Sequence, residues 1–321
     1  MRSNLQIPIV FLALIMTFLG CQKKEERILN NSLTEEHVWV PGTKISIIPP
    51  PDFEPAPDWP GYAQQSTTSS VMVVEIPGPF AESVAGFEDE EKMAVRGMKL
   101  LSKEDLKVNH YPAHFLEIKQ SAMGLSFSKW ILVFGDESHT VMVNGVYPEG
   151  NEKLSKDIRK SVESIVYEPD KEFDPLDAVI FSIDVEGTPF QLTTSIGGSL
   201  AYTKDGLVPT ELEDNAKFMV STSMGEFPID EPEEFTQHRM NQLNLGFEVE
   251  TESFLPINID DMDGHEVLAY GTNAETGNRE LVLLTMLYTE SKYYIMTGLA
   301  SGDHEENLAL FRQLGKTFKR K

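Results

Sequence analysis

The sequence predicts an α+β protein made of two similar domains, each a mainly antiparallel sheet covered by helices. Three observations carry this. Short apolar runs suited to strands alternate with stretches whose apolar residues recur every three or four positions, as on one helix face. The same order of elements occurs in 38–167 and in 178–321. Two pairs of windows also match between the halves: VMVVEIPGPF (71–80) and FMVSTSMGEF (218–227) at four of ten positions, ESHTVMVNG (137–145) and ESKYYIMTG (290–298) at three of nine.

In the first copy an apolar strand at 70–76 leads to a helical stretch near 88–101. Strands near 113–121, 125–134 and 139–147 follow, then a helix at 152–165 with Leu154, Ile158, Val162 and Ile165 on one face. In the second copy the elements recur at 217–223, 233–245, 265–272, 279–288 and 293–300. A closing helix near 304–318 aligns Leu308, Phe311, Leu314 and Phe318, with Asp303 and Glu306 spaced as a capping box. Asp136-Glu137-Ser138 and Thr289-Glu290-Ser291 suit the turns between the last two strands of each copy. The acidic, proline-bearing run YEPDKEFDPLD interrupts the apolar pattern, which places a linker at 168–177.

Ahead of both copies stands an export signal, residues 1–21: a short basic start, an apolar run from Ile7 to Leu19, and a small residue before Cys21. The run contains Pro8 and falls short of the ~20 apolar residues a spanning helix needs, so it reads as a cleaved signal. Cys21 is the only cysteine of 321 residues, and with Phe18-Leu19-Gly20 before it resembles the lipobox of bacterial lipoproteins, Phe18 replacing the usual Leu. That resemblance implies lipid on Cys21, anchoring the chain to a membrane, and a body that folds without disulfides. Residues 22–37 lack apolar periodicity and read as a flexible tether. Gln22 in place of Asp, and Lys24-Glu25-Glu26 resembling an export signal of surface lipoproteins, point to the outer membrane, with periplasmic and surface display both open.

Charge bears on partners. The net charge is −24, and it is uneven: residues 1–167 carry 16 Lys and Arg against 22 Asp and Glu, residues 168–321 only 11 against 29. Such a body repels phosphate backbones, so nucleic acid is excluded as a partner. Solubility explains the acidity, and attraction of a basic partner or of cations is the alternative.

The stretch PGTKISIIPPPDFEPAPDWPGYA, followed by SSVMVVEIPGPF and the closing helix, resembles the PsbP-like and DcrB-like group of small α+β sandwich proteins. The resemblance covers 38–167, and 178–318 only through the repeat. It implies a binding or assembly module, not an enzyme.

No sequence motif argues for catalysis. P-loop, dinucleotide, HExxH and GxSxG patterns are missing, and Gly197-Gly198-Ser199 lacks the glycine that would complete the last. His110 and His114 have helical spacing with Pro112 between them, which disfavours a helix, so they form no metal pair. His114 and His265 hold matching places in the two copies, which argues for a shared structural role. Asp260-Asp261-Met262-Asp263-Gly264 resembles a calcium loop but has Ile259 and Tyr270 where an EF-hand needs acids, leaving an acidic hairpin turn at Asp263-Gly264. No cofactor and no metal are expected. A hydrolase with an unrecognised site and a cation-binding acidic domain are the competing readings.

The most unusual stretch is 49–62, with six prolines among Phe53, Trp59 and Tyr62. Proline stiffens the chain and cannot complete a sheet ladder, so the segment reads as an extended surface loop. Its aromatics either pack over the sheet or form a rigid contact surface for a protein, peptide or glycan. Phe53, Trp59 and Tyr62 are the candidate contact residues.

Overall fold

A computed structural model describes residues 26–321 apart from 123, 227 and 244. Cys21, the signal and the start of the tether lie outside the described residues. In chain order the first half holds β1 (Arg27–Leu29), β2 (Val38–Trp39), β3 (Ile45–Ile47), β4 (Glu54–Pro55), β5 (Gly61–Gln64), β6 (Ser69–Pro77), α1 (Phe80–Glu88) and α2 (Glu90–Val95). It continues with β7 (Met98–Val108), β8 (Tyr111–Ala122), β9 (Leu125–Gly135), β10 (His139–Pro148), α3 (Glu152–Glu163) and β11 (Val166–Tyr167). The second half holds β12 (Phe181–Ser182), β13 (Gln191–Ile196), β14 (Ser199–Thr203), β15 (Lys217–Thr222), α4 (Pro232–Asn241) and β16 (Val249–Ile259). Then come β17 (Met262–Thr272), β18 (Arg279–Tyr288), β19 (Tyr293–Ala300), α5 (His304–Lys316) and β20 (Lys319–Arg320).

The result is an α+β architecture dominated by two sheets. One has the order β1-β7-β8-β9-β10-β6-β5-β4, the other β13-β14-β15-β19-β18-β17-β16. Read in opposite directions they are the same sheet, with β1 added to the first. Both have β6 or β15 beside the last strand of a four-stranded meander, and both close with a short ladder, β11 on β3 and β12 on β20. The correspondence reaches single residues. Gly145 pairs with Val71 and Trp130, and Gly298 pairs with Phe218 and Leu283, the corresponding strand positions of the two copies. A β-bulge interrupts β7 between Leu100 and Ser102 and β16 between Thr251 and Ser253.

Each sheet is covered on both faces. Leu154, Ile158 and Val162 of α3 lie on Val71, Val73, Leu132 and Val143, while Val84 of α1 and Met93 of α2 cover Leu116, Ile118, Ile131 and Val133 on the opposite face. In the second sheet Phe311 and Leu314 of α5 cover Phe218, Leu283 and Met296, and Met240 of α4 covers Val267, Ala269 and Leu284. Burying one such side chain fully stabilises the fold by roughly 1.5–3 kcal/mol. A glycine is needed where each closing helix crosses its sheet. A Cβ on Gly145 would overlap the Ile158 side chain, and one on Gly298 the ring of Phe311.

Several sequence expectations change. The helix expected near 88–101 is instead α1 and α2, with the Asp89 side chain accepting from the Lys92 N–H at the start of α2. Gly97 (φ 66°) turns the chain, and Met98 begins a strand. The expected tether 22–37 is not free from Arg27 onward. β1 pairs in parallel with Leu106–Val108, Arg27 bridges Glu104 and Glu163, and Asn31 donates to the carbonyls of Glu163 and Ile165. The linker segment is likewise held: the Glu168 N–H donates to the Lys44 carbonyl, and buried Ala178 fills the space beside Gly42. Asp303 forms no side-chain cap, because its backbone is left-handed (φ 44°). The acidic hairpin turns at Asp260 and Asp261, both at positive φ, three residues before the expected Asp263-Gly264.

Candidate functional site between the two modules

The proline-rich segment is not a loose loop. Its last part is the hairpin β4–β5 on one edge of the first sheet, where proline is tolerated because an edge strand needs no outward donor. Its tip, 56–60, projects toward the second module. The Val73 N–H donates to the Pro60 carbonyl at 2.9 Å, and the Ala56 N–H to the Gly61 carbonyl at 2.9 Å.

The aromatics of this segment go to opposite faces of the sheet. Tyr62 joins the core beneath α3, where burial raises its phenol above the ordinary value, and Phe53 packs against the same core. Trp59, only 7% exposed, lies on the other face against Met72 and Val74. Of the two arrangements the sequence leaves open, Trp59 and Tyr62 take packing over the sheet and are not outward contact residues. The reason is the pleat, which sends residues on either side of a sheet into one core or the other.

What the tip does present is Asp58. Its carboxylate is 5% exposed and accepts two hydrogen bonds from the Lys292 ammonium, at 2.9 and 2.7 Å, with Glu226 3.8 Å from the same ammonium. Lys292 belongs to the turn before β19, so this ion pair joins the two modules. A second fastening lies beside it. Gly197 (φ 56°) and Gly198 (φ 84°) form the two-residue turn between β13 and β14, the arrangement that matches the twist of a hairpin. The turn sits against Met72 and Val74, and a Cβ on Gly198 would overlap the Asp58 carbonyl and crowd Trp59.

These contacts frame a cleft of about 500 Å³. One wall is the polar turn from Gln64 to Ser70, the other Met224–Glu226 with Lys292, and Asp58 and Trp59 stand at the junction. Met224 is 66% exposed at this wall. Amide and hydroxyl side chains opposite an apolar methionine suit recognition of an extended polar ligand by hydrogen bonds and side-chain contact.

The other sequence candidates do not converge. His114 sits on β8 with Nδ1 2.8 Å from the Asp105 carboxylate and its ring 5.1 Å from that of Phe80. His265 holds the same register on β17, with Nδ1 3.4 Å from the Thr236 hydroxyl and its ring 4.9 Å from Phe254. Each lies within its own sheet. Among the described residues no group of three or more His, Cys, Asp or Glu is placed to hold a metal ion, and no helix is long and apolar enough to cross a membrane.

Of the segment 49–62 singled out from the sequence, the structure brings Asp58 and Trp59 to the cleft and sends Phe53 and Tyr62 to the core of the first sheet. The Asp58–Lys292 pair and the seating of the Gly197-Gly198 turn on the first module were not anticipated. A Gly-Gly pair between TTSI and SLAYT is a hairpin signal, and it was the available clue.

No protein-family model and no curated protein matches the chain. Several solved structures are distantly similar. A Bacteroides thetaiotaomicron protein aligns at TM-score 0.28 and 11% identity, over 47% of this chain and 53% of that one, so this chain spans about half its length. The apo immunity protein TplEi of the T6SS of Pseudomonas aeruginosa aligns at TM-score 0.34 and 16% identity, over 88% of this chain and 97% of that one. Cyanobacterial PsbP (CyanoP) from Synechocystis aligns at TM-score 0.28 and 13% identity, over 44% of this chain and 82% of that one. Likenesses this distant assign no function.

Proposed function

We propose that the chain is a lipid-anchored protein of the cell envelope that binds a protein, peptide or glycan in the cleft between its modules and performs no chemistry on it. On this reading Cys21 carries the lipid, the two modules are PsbP-like sandwiches, as the sequence resemblance implies, and neither cofactor nor metal takes part. One observation supports it above the rest: the cleft is fastened on its inner side by the Asp58–Lys292 pair and the Gly197-Gly198 turn. A site whose walls are held before binding loses little conformational entropy when a ligand enters.

Filling the cleft tests the reading. Ser70 lines it, half-buried on β6. Ser70→Trp is expected to abolish co-purification of the partner that the wild-type lipidated protein retains from its own membranes, while thermal stability stays within about 0.5 kcal/mol, as for other surface changes. Equal recovery of that partner with the cleft filled would overturn the assignment.

A further inference from the structure

The docking of β1 changes where an anchor at Cys21 must emerge. Glu26, the first described residue, pairs with Lys107 at 2.7 Å, and Arg27 is held by Glu104 and Glu163. Only five peptide steps separate Cys21 from Glu26. Fully extended they reach at most about 18 Å. β1 runs parallel to β7, so the chain enters β1 from the side on which β7 begins. Leu106, opposite Arg27, is five residues after Leu101, about 17 Å along a strand.

Among the described residues, that end of the first module carries exposed apolar side chains. Val95, at the last turn of α2, is 89% exposed, Leu101 at the β7 bulge 42%, and Leu125 at the β8–β9 turn 57%. They belong to one neighbourhood, because the Ser121 N–H donates to the Gly97 carbonyl and the Gln120 amide to the Arg96 carbonyl. Lys92, Arg96, Lys99 and Lys103 surround them, against Asp89, Glu90 and Glu91 at the start of α2, with Asp89 paired to Lys92 at 3.2 Å and Asp105 3.9 Å from Lys103. The near balance of charge at this end contrasts with the acidic second half of the chain.

We propose that this α2–β7 end of the first module rests on an anionic bilayer surface, with Val95, Leu101 and Leu125 entering the headgroup boundary and the neighbouring cations meeting lipid phosphates. The proposal rests on the reading of Cys21 as the lipid site. The anchor's short reach limits how far this end can stand from the membrane, and apolar burial with cationic contact is the chemistry by which proteins lie on bilayers. The second module, with its excess of carboxylates, is thereby left away from the bilayer.

Depth measurement on the lipidated full chain in anionic phospholipid vesicles decides the matter. Lipid occupies the sole natural thiol, so a polarity-sensitive dye can be placed singly on Val95→Cys, on Leu125→Cys, or on Glu275→Cys in an exposed turn of the second module. The dyes at 95 and 125 are expected to shift to the blue on reconstitution and to be quenched by groups carried about 5–10 Å below the headgroups, while the dye at 275 does neither. Dyes at 95 and 125 as water-exposed as the one at 275, on vesicles that retain the protein, would overturn the orientation. Absence of lipid label from the wild-type chain would defeat the anchor itself, and the orientation with it.

Discussion

Trp59 gives the sharpest test of how the proline-rich segment is used. The indole is 7% exposed, lies on Met72 and Val74, and stands beside the Gly198 backbone of the second module. Truncation to alanine removes most of a large buried side chain and leaves a cavity whose walls are held by the β5–β6 ladder on one side and the Gly197-Gly198 turn on the other. Walls fixed in this way collapse poorly. The expected loss is therefore about 3–5 kcal/mol, the range for large buried aromatics. With a urea slope near 2 kcal/mol/M, a loss of about 3 kcal/mol lowers the midpoint of the affected transition by about 1.5 M. Trp39 and Trp130 remain as fluorescent reporters in the same module. Met224→Ala, at a residue 66% exposed, serves as the control and should shift stability by no more than about 0.5 kcal/mol. A Trp59→Ala loss below about 1 kcal/mol would refute the packing argument and return Trp59 to the role of an outward anchor.

Gly145→Ala and Gly298→Ala each force a methyl into a closing helix, so thermal unfolding should show a loss of about 1–3 kcal/mol for each, larger at Gly298, where the rigid Phe311 ring cannot yield. Lys292→Met leaves the Asp58 carboxylate buried without its partner and should cost roughly 3–5 kcal/mol, whereas adding Asp58→Leu should recover much of that in a double-mutant cycle; simple additivity would mean that the pair is not coupled. Burial alone would raise the Asp214 pKa, but hydrogen bonds from Lys204 and Asn307 outweigh it and hold the carboxyl below its ordinary 3.8. Its stabilising contribution is thus present above the unfolded value and lost as pH falls through the folded one. Asp214→Asn should flatten the decline of melting temperature between about pH 5 and pH 3, and an unchanged slope would exclude this group.

The strands legible in the sequence are those that build the core. β6, β8, β9, β10, β15, β18 and β19 are long, apolar on one or both faces, and lie close to the expected positions. The two meander edges, β7 and β16, escaped notice for one physical reason. An edge strand exposes much of its surface, so MKLLSKEDLKV and VETESFLPINI carry charges and a proline where a central strand would show an apolar run. In the first copy the same weak pattern let the helix expectation run on past Gly97. The docking of 26–37 was illegible because it depends on Asn31 and His37 reaching carbonyls near residue 164, contacts more than a hundred residues away in the chain. Trp59 was ambiguous from the start: proline spacing fixes the backbone of an edge hairpin without saying which face its aromatics take.

The repeat separates what holds each module from what the pair of modules does. Two of the identical pairs in the matched windows serve the sheet: Val73 and Val220 are fully buried, and Gly145 and Gly298 admit the closing helices. Met72 and Met219 are also identical, yet Met72 is 8% exposed beneath Trp59 and the Gly197 turn, while Met219 is 37% exposed. The residues that differ do other work. Met224, Glu226 and Lys292 stand where the first copy has Pro77, Pro79 and His139. All three line the cleft, whereas His139 turns inward on its own module and bonds Glu75 at 2.9 Å. The buried identities therefore follow packing, and the divergence at Met224, Glu226 and Lys292 follows the junction. A duplicated fold needs both copies to keep the first set, while only the copy that faces the other can use the second. That asymmetry supports the proposed site at the junction over features the two modules share.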